Sequence, residues 1–170
     1  MHNISYDRET VVEYARKWAL ARNPIYYDYD SMGGDCTNFV SQCIYAGIRT
    51  MNYTKDLGWY YKNPNQKAPA WTGVPFLHQF LTSNQGVGPF GVQAELDDLE
   101  IGDIIQLSFD NIKFAHSTVL TKIIREPYTT SEYYVCAHDY DVYEKNLNDY
   151  QFMNLRGIHL NGGRVAAGND

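Results

Sequence analysis

Residues 31–47 read SMGGDCTNFVSQCIYAG, and the rest of the chain is best interpreted outward from them. Gly33, Gly34 and Asp35 lead into Cys36, after which Phe39, Val40, Cys43 and Ile44 recur at helical spacing. The pattern predicts a helix over 36–46 with one buried apolar stripe, stopped by Gly47. Cys36 then stands at the helix start, where unpaired N–H groups and the positive end of the helix dipole stabilise a thiolate. Thiols so placed reach pKa values of roughly 3.5–7.5 against ~8.5 when free, which makes Cys36 the candidate nucleophile. Its own N–H would face an oxyanion, and the two glycines let a substrate carbonyl come close. Asp35 would raise the thiol pKa if it faced the sulfur, so it is expected to cap the helix or be hydrogen-bonded elsewhere. The competing reading makes Cys36 a small apolar residue opening a buried helix.

A cysteine nucleophile needs a base, and five histidines are available. His116 lies in the strand-like FAHSTVL, where an imidazole needs a polar partner. Residues 133–141, YYVCAHDYD, alternate so that Tyr134, Cys136 and His138 share a face. His138 could therefore orient His116, with Asp139 or Asp141 as substitutes. Cys136, His138, Asp139 and Asp141 lack zinc-ligand spacing, and neither a metal nor an organic cofactor is expected. The odd count of three cysteines leaves at least one thiol free; a Cys43–Cys136 bridge is the less favoured alternative to buried free thiols.

Flanking segments complete the outline. Asp7 caps a predicted amphipathic helix over 7–21, Thr72 a third over 74–81, and residues 55–70 read as an irregular surface excursion broken by Gly, Asn and Pro. Strand patterns begin at Gly102, Phe114 and Tyr133, with another near 157–162. Helices followed by strands predict an α+β protein with an antiparallel sheet, in one domain over 1–170. A net charge of −6 and pI near 5.3 argue against a nucleic-acid groove or a polyanion-binding surface. No run is long and apolar enough to span a bilayer, and the start carries no export signal. The expected protein is soluble, cell-wall-located if a leader was removed from a longer parent and cytoplasmic otherwise. Its oligomeric state is open.

NPIYYDYDSMGGDCTNFVSQCIYAG (23–47) resembles the signature of a bacterial amidase-domain family, and is more distantly similar to NlpC/P60 and CHAP cysteine peptidases and amidases. LEIGDIIQLSFDNIKFAHSTVLTKI (99–123) resembles the Gly-Asp strand and His strand of these papain-like proteins, and AWTGVPFLHQFL (70–81) the amidase family's Trp-Thr segment. The resemblance covers about Tyr6 to His159. It implies a papain-like, NlpC/P60-type fold with the nucleophile helix packed on an antiparallel sheet. By position it carries over Cys36 as nucleophile, His116 as base and His138 as third polar residue, with Asp139 as the alternative. Tyr26, Asp35 and Asn38 become oxyanion or substrate-side candidates. Cysteine before histidine matches the unpermuted, peptidoglycan-directed branch. The implied activity is hydrolysis of an amide in a peptidoglycan stem peptide or related short peptide through a thioacyl-enzyme. Acyl transfer to an amine and a catalytically silent glycan- or peptide-binding module are the alternatives. Thr37, Asn38, Ser41 and Gln42 are expected mainly to make helix-to-loop contacts.

Overall fold

Period-two alternation governs the second half of the chain. In β5 (Ile104–Ser108), Ile104 packs with the helices while Ile105 and Leu107 join a second apolar cluster on the opposite face. A sheet with two covered faces results, described by a computed structural model over residues 1–168. β5 pairs antiparallel with β6 (His116–Ile124), which pairs with β7 (Glu132–Ala137), which pairs with β8 (Val142–Asn146). The 12-residue β9 (Asn154–Val165) returns along the free edge of β5 and runs on to pair with β1 (His2–Ile4). Its other edge carries β4 (Gly88–Ala94). The expectation of an antiparallel sheet holds; β1, β4 and β8 are additional strands, short or interrupted by Gly and Pro, whose patterns are too brief to be legible alone.

The helices cover one face. In α1 (Arg8–Trp18), Asp7 acts as the N-cap: its carboxylate accepts from the Thr10 N–H at 3.1 Å and the Thr10 hydroxyl at 2.7 Å. α2 (Cys36–Ile48) is buried on nearly every side, not along a single stripe. Its polar residues are therefore held by partners. Thr37 meets the Ser117 hydroxyl, Ser41 donates to the Trp71 carbonyl, and Gln42 accepts from the Tyr14 hydroxyl. Gly47 does not stop this helix. A Cβ there would lie 2.4 Å from Val11 and 2.7 Å from the Asp7 carbonyl, so the glycine permits close crossing of α1 and α2. The stop is Arg49, which takes a left-handed φ of 57° and donates its N–H to the Tyr45 carbonyl.

The 55–70 excursion is partly core. It includes a small hairpin of β2 (Tyr61–Asn63) and β3 (Gln66–Lys67), and it buries Trp59, Ala68 and Ala70. The Trp59 indole donates to Ser41 Oγ at 3.0 Å, and Trp71 in α3 (Pro69–Thr72) donates to Asn38 Oδ1 at 2.9 Å. The two indoles stand 4.7 Å apart against α2. Thr72 ends α3 instead of capping the next helix; Gly73 occupies the N-cap of α4 (Val74–Ser83), and the Thr72 hydroxyl accepts from Lys67 at 3.1 Å. Cys36, Cys43 and Cys136 are all buried free thiols. Among the described residues, no helix is long and apolar enough to cross a membrane.

Candidate active site

Two turns converge on the start of α2. The first is the loop ending in Gly33 and Gly34, with φ of 97° and 116°. The second links β7 to β8, where Asp139 and Tyr140 both adopt left-handed φ, near 64° and 59°. That turn directs the Asp139 carboxylate back onto α2, and its Oδ1 accepts the Asp35 N–H at 2.6 Å. A side chain at Gly34 would place Cβ 2.5 Å from Asp139 Oδ2, so only glycine admits the carboxylate. His116 enters from the first residue of β6. The Cys36 sulfur, an imidazole nitrogen of His116 and a carboxylate oxygen of Asp139 all lie within 4.8 Å of one another.

Burial sets the resting protonation. It pushes the Cys36 thiol up to about 11; the Ser117 backbone N–H opposes this and the Asp139 carboxylate adds to it. The depressed thiol pKa expected from the helix start is thus overridden by desolvation and a facing carboxylate. His116 is lowered from the ordinary histidine value, chiefly by burial, with Asp139 pulling upward and Lys145 downward. The site rests as thiol and neutral imidazole beside a carboxylate. The same donors, one sulfur, one nitrogen and one oxygen, form a set that a thiophilic divalent cation accepts. Asp28, Asp30 and Asp35 form a second close set of carboxylates, which already faces Arg22.

His138 lies elsewhere. Its Nδ1 donates to Asp35 Oδ2 at 2.5 Å, and its Nε2 faces the Trp18 carbonyl at 2.8 Å and Arg22 at 3.1 Å. Its ring stacks on Phe39 at 4.1 Å, so neither nitrogen is left to orient His116. Period two broke down at the strand end: β7 stops at Ala137, and the turn carries Asp139, not His138, to the sulfur. Asp35 is hydrogen-bonded and does not cap α2. It accepts from the Tyr29 N–H and from Asn38 Nδ2, both at 2.8 Å, besides His138. Asn38 is fully engaged, donating also to the Tyr27 carbonyl and accepting from Trp71. Tyr26 packs on Tyr61 and Trp71, and burial raises its phenol to about 12. Cys36 is not among the side chains Tyr26 packs on.

Arg22 was not legible as a site residue. It pairs with Asp30 at 2.5 Å, Asp141 at 2.9 Å and Asp28 at 3.2 Å, tying both converging turns together. The acidic run DYDSMGGD was the only hint that a half-buried cation would be needed. A cavity of about 470 Å³ opens beside His116 and Asp139, walled by Phe109, Lys145 and Tyr150. A second of about 650 Å³ adjoins it at Ala115.

A thiol, an imidazole and a carboxylate gathered at a helix start, beside a cleft on an antiparallel sheet, form a nucleophile-and-base arrangement suited to acyl chemistry. The chain belongs to the family described as "Putative amidase domain", which matches residues 5–160. It is similar to the uncharacterized protein YhbB of Bacillus subtilis (strain 168), 33% identical over 121 residues, 69% of this chain and 37% of YhbB. It is also similar to the uncharacterized protein YjcM of the same strain, 26% identical over 106 residues, 62% of this chain and 23% of YjcM. The matched segment thus spans well under half of either relative. No solved structure matches the chain.

Proposed function

We propose that this chain is a one-domain, papain-like cysteine amidase or peptidase, with Cys36 as nucleophile, His116 as base and Asp139 as the carboxylate that supports the imidazole. The observation that carries this reading is the clustering of their three reactive atoms within 4.8 Å, with His116 and Asp139 lining the adjoining cavity. Because the thiol rests protonated, His116 takes its proton as sulfur attacks the amide carbonyl, and no standing thiolate is required. The S–C bond forms, the oxyanion is held by N–H groups at the start of α2, and Asp139 faces the imidazolium that appears. His116 then protonates the leaving amine as the C–N bond breaks. Water, deprotonated by His116, cleaves the thioester to a free carboxylate and regenerates the thiol.

The substrate we favour is an amide in a peptidoglycan stem peptide or a related short peptide. Support comes from the family match and from a cleft lined by aromatic and charged side chains. The test is digestion of purified stem peptides by the wild type and Cys36→Ala, with products weighed in the presence and absence of hydroxylamine. A new carboxyl terminus that converts to a hydroxamate with hydroxylamine, and that vanishes in Cys36→Ala, is expected. An amine adduct formed in place of the carboxylate would make the protein an acyltransferase. Peptide binding without turnover in either protein would leave the binding-module reading.

A further inference from the structure

Carboxylates and cations line different recesses of the cleft. Asp30 and Asp139 border a recess of about 420 Å³, which meets the 650 Å³ cavity at Gly33. That cavity is lined by Lys113 and Arg156. Arg156 is held as a built part of the site. Its Nε donates to Gln106 Oε1 at 2.8 Å, and its guanidinium stacks on Phe114 at 4.1 Å. Gln106 is itself fixed, donating to the Val74 carbonyl and to Ser117 Oγ, and Ser117 meets Thr37, the neighbour of Cys36. A continuous hydrogen-bonded path therefore links this cation to the nucleophile helix.

Arg156 and Lys113 make no ion pair among the described residues; Arg49, Arg125 and Arg164 make none either, but of these four arginines only Arg156 lines the cavity with Lys113. Desolvation lowers Arg156 from its ordinary value, so the fold places the charge there without compensating it. A planar guanidinium fixed at Nε leaves its terminal nitrogens in a fork suited to a carboxylate.

We propose that Arg156, assisted by Lys113, is a carboxylate-binding subsite that selects acidic peptides. This rests on the reading of Cys36 as the nucleophile, since it assigns the anionic group to one side of the scissile amide.

The test uses Cys36→Ala protein, so that binding is read apart from chemistry. Acetyl-Ala-Gln-amide, acetyl-Ala-Glu-amide and acetyl-Ala-Gln with a free terminal carboxylate are titrated by calorimetry. At least one anionic peptide should bind about tenfold more tightly than the neutral one, with the advantage shrinking as salt is raised. The tighter of the two identifies a side-chain or a terminal carboxylate as the recognised group. The advantage should fall to within about twofold in Arg156→Gln, be partly kept in Arg156→Lys, and weaken in Lys113→Gln, where the exposed side chain can be changed without disturbing the sheet. Equal affinity for all three peptides, absence of binding by both anionic ones, or a preference that survives Arg156→Gln in folded protein overturns the proposal. If the preference behaves as expected while wild-type Cys36 cleaves no amide, the cysteine reading fails and the subsite stands.

Discussion

Cys36 keeps its proton at neutral pH because desolvation outweighs the pull of the helix start, and Asp139 adds to the burden. Two consequences can be measured. Asp139→Asn removes a carboxylate that raises the thiol pKa, so alkylation of Cys36 by iodoacetamide at pH 8 should speed up severalfold. Amide turnover should fall in the same variant by roughly 10²–10⁴, because the imidazolium loses its counter-charge. Parallel loss of both rates would show that Asp139 merely holds the turn. The pH profile follows from His116: its pKa is lowered, chiefly by burial, so the imidazole stays neutral through pH 7. Turnover should therefore hold down to about the ordinary histidine value of ~6.5 and decline only below it. An acid limb centred above ~7 would contradict the burial of this imidazole. Chelation provides a third check: if the three groups work as nucleophile, base and carboxylate, EDTA leaves turnover intact. Loss restored by Zn²⁺ would mean that they hold a metal instead.

Two glycines act at the scale of elements, for different reasons. Gly34 sits at φ 116° with Asp139 where its Cβ would be, so Gly34→Ala is strained and displaces the carboxylate. It should cost roughly 1–3 kcal/mol in urea unfolding and abolish most turnover. Gly47→Ala meets Val11 and the Asp7 backbone, which forces α1 off α2. A stability loss of about 1–3 kcal/mol with turnover largely kept in the folded fraction is expected, because the crossing lies at the far end of α2 from Cys36. Equal catalytic damage from both substitutions would mean that the helix start is not a separately positioned unit. Gly34 was legible as part of the Gly-Gly-Asp-Cys block, while Gly47 was misread as a helix stop. A glycine at a helix end and one beneath a crossing helix look alike until the second helix is docked.

On the scale of the whole molecule, Arg22 joins three separate segments: the end of α1, the loop before α2 and the turn after β7. Arg22→Ala leaves several carboxylates near one another without their cation. It should lower stability by roughly 1–3 kcal/mol, between the exposed and buried limits for ion pairs, and reduce turnover through loss of order at Asp139. Unchanged melting and unchanged kinetics would show that the cluster is only a solvated surface. The sequence by itself determined the helix that begins at Cys36, its capped predecessor and the strands bearing His116 and Cys136. Those features depend on local spacing, propensity and a thiol at a helix start, all of which act within a few residues. It also carried the resemblance by which the family could be recognised. Only the tertiary structure decided which acid reaches the sulfur. Strand alternation pointed to His138, but two left-handed residues past the end of β7 turned Asp139 inward and left His138 beneath Asp35 and Trp18. The thiol's protonation was decided there too, because desolvation depends on what packs over the sulfur, and those groups come from segments 80 to 104 residues away in the chain.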